Sequence, residues 1–153
     1  IAPAPHLNPA LAEAASDLAA RIAEELDVVG MLAVELFQVG ETVVINELAM
    51  RPHNSGHWTI EGAETSQFEN HLRAIAGLPL GSTALRGACA MVNYIGLAPE
   101  LEQACALEGV HTHLYGKTPK PQRKIGHATV TAPDAASLQA RVAKLLAILP
   151  DGG

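Results

Sequence analysis

The sequence predicts an α+β fold, and three observations carry that expectation. Two apolar, β-branched runs, residues 31–39 and 42–48, are separated only by Gly40 and Glu41, which is the pattern of a β-hairpin. Ahead of them Leu11, Ala15, Leu18, Ile22 and Leu26 recur at helical spacing behind Asn8 and Pro9, residues suited to an N-cap and a first helical position. Further on, strand-like and helix-like segments alternate with clear turn punctuation at Gly77, Gly109 and Asp134.

The first helix is expected to run to about residue 26 and to lead straight into the hairpin, with the five apolar residues as its buried stripe. A second helix should start near Thr65 or Ser66, because Ser66 and Glu69 have capping-box spacing, and should stop at Gly77 before Pro79. His71 on it reads as a surface or helix-packing residue rather than a ligand. A strand is expected over 88–94, then a helix over about 99–107 ended by Gly109, then strands over 110–115 and 124–131 joined by a basic loop at 117–123. Val110, Thr112 and Leu114 alternate with His111, His113 and Tyr115, which gives one buried face and turns His111 and His113 to solvent. Asp134 should cap a last amphipathic helix reaching about residue 149. The segment 78–86, rich in Gly and Pro, is the expected boundary between two subdomains, 1–80 and 81–153.

Composition bounds the function classes. A chain of 153 residues can bury one good core or two small ones, and a net charge of -6 gives no support for a nucleic-acid partner. Each apolar stretch is interrupted before it could span a bilayer, and no signal-type leader is seen, so no membrane partner is expected. Cys89 and Cys105 have no motif spacing and read as small core residues of a protein in a reducing cytoplasm.

The chemistry concentrates at the hairpin. Glu35 and Glu47 each sit inside an apolar strand. A three-residue loop at 40–42 would place them directly opposite one another, whereas a two-residue loop would pair Glu35 with Asn46. Facing positions bring Cβ atoms roughly 5 Å apart, and two bare carboxylates at that separation repel by about 3 kcal/mol at an effective dielectric of about 20. A hard divalent cation offsets such repulsion, because Mg²⁺ accepts one or two carboxylates and a carbonyl oxygen such as the Asn46 amide, and completes its shell with water and phosphates. The plainer alternatives are that one glutamate faces solvent or that Arg51 pairs with it. After Ala49 the chain reads Arg51-Pro52-His53-Asn54-Ser55-Gly56-His57, a polar loop at a strand end. Arg51 offers a planar fork for an anion, His53 and Asn54 can orient a small oxyanion, and Gly56 frees the backbone. A zinc pair at His53 and His57 is disfavoured, since Pro52 and Gly56 oppose a helix and no cysteine is near.

These segments carry a resemblance. The runs Val34-Glu35-Leu36-Phe37, Ile45-Asn46-Glu47-Leu48-Ala49, Arg51 to Glu61, Thr65-Ser66-Gln67-Phe68-Glu69, Leu78-Pro79-Leu80-Gly81, Tyr115-Gly116-Lys117 and Arg123-Lys124-Ile125-Gly126-His127 closely resemble the C-terminal portion of the 5-(carboxyamino)imidazole ribonucleotide synthetases of de novo purine biosynthesis, an ATP-grasp family. The resemblance covers nearly the whole chain. Met50 departs from it, standing where the family usually has proline, a change that should alter loop stiffness more than chemistry.

The resemblance implies the C-terminal half of an ATP-grasp domain, an antiparallel sheet with packed helices, followed by a small α/β C-terminal subdomain that contributes to the ribonucleotide site. It implies a ligase that turns 5-aminoimidazole ribonucleotide, bicarbonate and ATP into 5-(carboxyamino)imidazole ribonucleotide, ADP and phosphate through carboxyphosphate. In that scheme Glu35 and Glu47 hold Mg²⁺, or Mn²⁺ in its place, at the ATP phosphates, with Asn46 beside them. Arg51, His53 and Asn54 line the bicarbonate pocket as catalytic residues, and Ser55, Lys117, Arg123 and Lys124 bind substrate, its phosphate included. Lys117, Lys120, Arg123 and Lys124 are a local basic cluster in an acidic chain, although by themselves they would read as a solvated loop. A homodimer is also implied. The chain contains no glycine-rich phosphate-cradling loop, so it is expected to be a fragment without synthetase activity of its own. Two alternatives remain, another ATP-grasp carboxylase or ligase and a non-catalytic dimerisation module.

Overall fold

The computed structural model describes residues 8–150. Two compact units divide them: one comprises the residues up to 60 together with 65–83, the other residues 61–64 and those from 84 onward.

In the first unit, helix α1 (Pro9–Glu25) starts as its sequence requires, with the Asn8 side chain accepting from the Ala10 N–H at 2.9 Å and Pro9 in the first turn. Leu11 is buried and Ala15, Leu18 and Ile22 are half-buried, but Leu26 is 50% exposed. The helix has ended by then, and Leu26 serves as the C-cap rather than extending the stripe. Strands β1 (Ala33–Val39) and β2 (Thr42–Ala49) form the expected antiparallel hairpin, with α1 against β2. A single 3₁₀ turn (Asn54–Gly56) follows, and the short helix α2 (Thr59–Gly62) carries the chain out of the unit. Helix α3 (Gln67–Ile75) is capped by Ser66, whose hydroxyl accepts from the Glu69 N–H at 3.2 Å. The Glu69 carboxylate turns to Arg73, one helical turn on, at 2.6 Å. Gly77 ends α3 at φ +66°, and His71 packs as expected, its Nδ1 accepting from the Met31 N–H at 3.0 Å.

The second unit holds a three-stranded antiparallel sheet of order β3-β5-β4, built from β3 (Ala88–Ile95), β4 (Val110–Leu114) and β5 (Lys124–Ala132). Helices α4 (Leu101–Cys105) and α5 (Ala135–Leu146) complete it. One face of the sheet carries Ala90, Ala128 and Val130 against Leu138 and Leu145 of α5. Full burial of each leucine contributes roughly 1.5–3 kcal/mol. Helix α4 is shorter than the 99–107 expected, because Glu100 makes no side-chain cap and Leu107 closes by a tighter i→i+3 bond to Ala104. Beyond Leu146 the same tightening occurs, so α5 gives way to 3₁₀-type turns before residue 149.

Three expectations about exposure need correction. His113 does not point to solvent: its Nε2 is 2.7 Å from Glu61 Oε1 and its ring stacks on His127. Leu114 is 53% exposed, since it lies at the last residue of an edge strand. Cys89 is a core residue whose burial pushes its thiol pKa up, whereas Cys105, at the end of the short α4, is exposed. Among the described residues no helix is long and apolar enough to cross a membrane.

Candidate functional site: the carboxylate hairpin and the loop that follows it

The hairpin loop has two residues, Gly40 and Glu41, and Val39 pairs with Thr42. Gly40 adopts φ +61° at the first loop position, where a type II′ turn places glycine. With that loop, regular pairing would oppose Glu35 to Asn46. It does not, because the register shifts between Glu35 and Leu36: Leu36 faces Ile45 and Glu35 faces Glu47, leaving Asn46 as the extra residue of a β-bulge. The bulge restores the carboxylate pair that a three-residue loop would have given, and it frees the Asn46 amide to donate to Glu35 Oε2 at 3.2 Å.

The second oxygen of Glu35 lies 3.4 Å from His53 Nε2. The proton on that ring can be placed. The Ser55 backbone N–H, which can only donate, points at His53 Nδ1 (3.4 Å), and the Ser55 hydroxyl is 2.9 Å from the same nitrogen. Nδ1 is therefore the acceptor, and the proton sits on Nε2, facing Glu35. Ser55 is thus an orienting group for His53. Arg51 does not pair with either glutamate; its guanidinium donates to the Pro52 carbonyl at 3.2 Å. Glu47 is exposed.

Residues 53–57 are held by a side chain that sequence reasoning passed over. Gln67, at the start of α3 and 6% exposed, accepts from the His53 N–H at 2.9 Å, donates to the His53 carbonyl at 2.8 Å and lies 2.7 Å from His57 Nδ1. Its oxygen is fixed by the first bond, so the amide nitrogen supplies both others and His57 Nδ1 accepts. Thr59 tightens the same turn, accepting from the Gln67 N–H at 2.9 Å and donating to the Gly56 carbonyl at 2.6 Å. A Cβ on Gly56 would come within 2.5 Å of the Gln67 amide oxygen, so a side chain here would push aside the amide that holds the loop, and the glycine serves close approach rather than φ. The sequence places a glutamine immediately after the N-cap Ser66, but nothing local marks it as buried.

The donor set at the hairpin is two facing carboxylates and an amide. Among the described residues no cluster of three His, Cys, Asp or Glu side chains has metal-binding geometry, so a cation here would draw its other ligands from water or substrate oxygens. Hard oxygen donors in that number suit Mg²⁺.

The remaining sequence-predicted site residues lie in the second unit. Lys117 Nζ sits 5.2 Å from the Tyr115 ring centroid. Arg123 donates to the Thr118 carbonyl at 3.3 Å, closing the basic loop on itself. Lys124 opens β5, and Gln122 takes φ +60°, a left-handed conformation that marks the turn into that strand. An open pocket of about 470 Å³, lined by Ile95, Leu97, Pro119, Lys120 and Gln122 among others, borders this loop. The structure thus gathers Glu35, Asn46, Glu47, His53 and Ser55 in one unit, and Lys117, Arg123 and Lys124 in the other.

Comparison with known proteins gives this geometry its relatives. Residues 1–68 match the ATP-grasp domain and residues 89–141 match the phosphoribosylaminoimidazole carboxylase C-terminal domain. The chain is similar to the N5-carboxyaminoimidazole ribonucleotide synthase of Pseudomonas aeruginosa, 54% identical over 149 residues that cover 97% of this chain and 41% of the relative. It is similar in structure to the N5-carboxyaminoimidazole ribonucleotide synthetase of Thermus thermophilus, with a TM-score of 0.92 and 54% identity over 98% of this chain and 42% of that one. An Aspergillus clavatus enzyme, solved with ADP and 5-aminoimidazole ribonucleotide, aligns with a TM-score of 0.87 at 37% identity over 97% of this chain and 42% of its own. The chain spans about two-fifths of the length of these relatives. It is similar to the N5-carboxyaminoimidazole ribonucleotide synthases and matches the C-terminal part of their ATP-grasp fold.

Proposed function

We propose that, joined to the part of the relatives' length it does not span, this chain supplies the metal-holding hairpin, the bicarbonate loop and the ribonucleotide-phosphate loop of an ATP-dependent carboxylating ligase. The reaction has two steps. A bicarbonate oxygen attacks the γ-phosphorus of ATP, ADP leaves, and carboxyphosphate forms. The exocyclic amine of 5-aminoimidazole ribonucleotide then attacks the carboxyl carbon, phosphate leaves, and the nitrogen loses a proton to give the N-carboxylated product.

The observation that carries this reading is the bulge-restored pairing of Glu35 with Glu47, with Glu35 held from one side by Asn46 and from the other by His53. Mg²⁺ or Mn²⁺ held by these carboxylates would neutralise the phosphate charge that grows during transfer. His53, its ring oriented by Ser55, points its one N–H at Glu35 and so holds that carboxylate beside the bicarbonate loop. Arg51 and Asn54 offer donors from the same loop. Lys117, Arg123 and Lys124 supply positive charge for a phosphate monoester. The same reading makes the enzyme a cytoplasmic homodimer.

Glu47→Gln in the complete enzyme tests the proposal. The expected result is loss of turnover by roughly 10²-fold or more with an unchanged circular dichroism spectrum. Unaltered turnover would remove the metal role, and ADP release driven by a different acceptor amine would reassign the substrate within the ATP-grasp ligases.

A further inference from the structure

The second unit carries a row of polar side chains that the proposed reaction does not use. Glu61 Oε1 accepts from His113 Nε2–H at 2.7 Å, the His113 ring stacks on His127 with centroids 4.6 Å apart and planes 15° from parallel, and His127 Nδ1 lies 2.6 Å from the Tyr115 hydroxyl. The last member touches Lys117, whose ammonium sits over the Tyr115 ring. His127 is 2% exposed and the side chain of Glu61 is 15% exposed. The row therefore runs from inside the unit to its surface and ends at a cation. Burying an acid and an imidazole costs more than an apolar filling would, and the bonds of the row, which fix one aromatic ring, offset part of that cost.

We propose that Tyr115 is a positioning residue for the substrate phosphate: its ring holds the Lys117 ammonium in place, and its own orientation is set by His127, braced through His113 by Glu61. The inference rests on the reading of Lys117 as a phosphate ligand. A lysine on a four-carbon stem loses considerable side-chain entropy on engaging an anion. A ring held beneath the ammonium removes part of that loss in advance. Register supports the geometry, since His113 and His127 are direct cross-strand partners on β4 and β5, the closest approach two side chains have on a sheet face. Gly126 is the neighbour that permits it, because a Cβ there would come within 2.5 Å of the His113 carbonyl oxygen.

Steady-state kinetics on three variants of the complete enzyme test this. Tyr115→Phe keeps the ring and loses only the bond to His127; it is expected to raise KM for 5-aminoimidazole ribonucleotide about three- to tenfold, with kcat and KM for ATP within about twofold. Tyr115→Leu, which also removes the ring, should raise that KM further, roughly tenfold or more. Lys117→Met is the control for the underlying reading and should raise it most. A raised KM in Lys117→Met with an unchanged KM in both tyrosine variants overturns the positioning role while leaving the phosphate reading intact. An unchanged KM in Lys117→Met overturns the phosphate reading, and the inference falls with it. A fall in kcat and in thermal midpoint without any KM change in Tyr115→Phe would make Tyr115 a structural residue only.

Discussion

At the scale of single residues, Gln67 bears the most on whether the site holds its shape. Three hydrogen bonds from one buried amide fix the backbone of His53 and the ring of His57, and His53 in turn faces Glu35. Replacing the amide by an apolar group of similar size leaves the His53 N–H and carbonyl without their partner in a half-buried turn. Each unsatisfied group of that kind costs about 1–3 kcal/mol. Gln67→Leu is therefore expected to lower the urea midpoint of this chain with an unchanged m-value. Gln67→Glu should do no less harm: it keeps the oxygen that accepts from the His53 N–H but replaces the donor to the His53 carbonyl by a second oxygen in a buried site. An unchanged midpoint in both variants would show that side-chain volume, not hydrogen bonding, holds the loop.

At the scale of elements, α5 depends on its cap in a way that pH reveals. The Asp134 carboxyl is held below the usual aspartate value by the Ser137 backbone N–H at 2.8 Å and by the Ser137 hydroxyl at 2.9 Å. A depressed folded-state pKa means that the cap's contribution is fully present above the unfolded aspartate value of about 3.9 and is lost as pH falls through the lower folded value. Asp134→Ala should thus lower the thermal midpoint near neutral pH, and the gap from the parent should close as pH drops below about 3.9. A gap independent of pH would assign the stabilisation to something other than the ionised cap. This element was legible in the sequence because capping is local: Asp134, like Asn8 and Ser66, acts on a backbone N–H two or three residues away. The hairpin was legible for the same reason, as two apolar runs around Gly40 and Glu41. Its register was not, because the bulge at Asn46 decides which residue faces Glu35, and no propensity marks a bulge in a run such as Val43-Val44-Ile45-Asn46. His113 was misread for a related reason. Alternation along β4 gave it a face, but only the tertiary placement of Glu61 and the cross-strand His127 made that face a polar interior.

At the scale of the whole molecule, the proposed reaction draws on both units and on the length of the relatives that this chain does not span. The hairpin offers two carboxylates for a cation and the loop after it offers donors for a small oxyanion, yet the sequence holds no glycine-rich loop to cradle ATP phosphates and spans about two-fifths of the relatives' length. Phosphoryl transfer depends on holding the nucleotide and its acceptor in a narrow range of geometries, a contribution that positioning supplies and that is lost when half of the clamp is absent. The chain alone is therefore expected to show no bicarbonate-dependent ATP hydrolysis with 5-aminoimidazole ribonucleotide present, measured by coupled ADP release, while the complete enzyme turns over under the same conditions. Detectable turnover by the isolated chain would mean that a nucleotide clamp can form from the hairpin and its loop alone, and the division of labour argued for Glu35 and Glu47 would have to be abandoned.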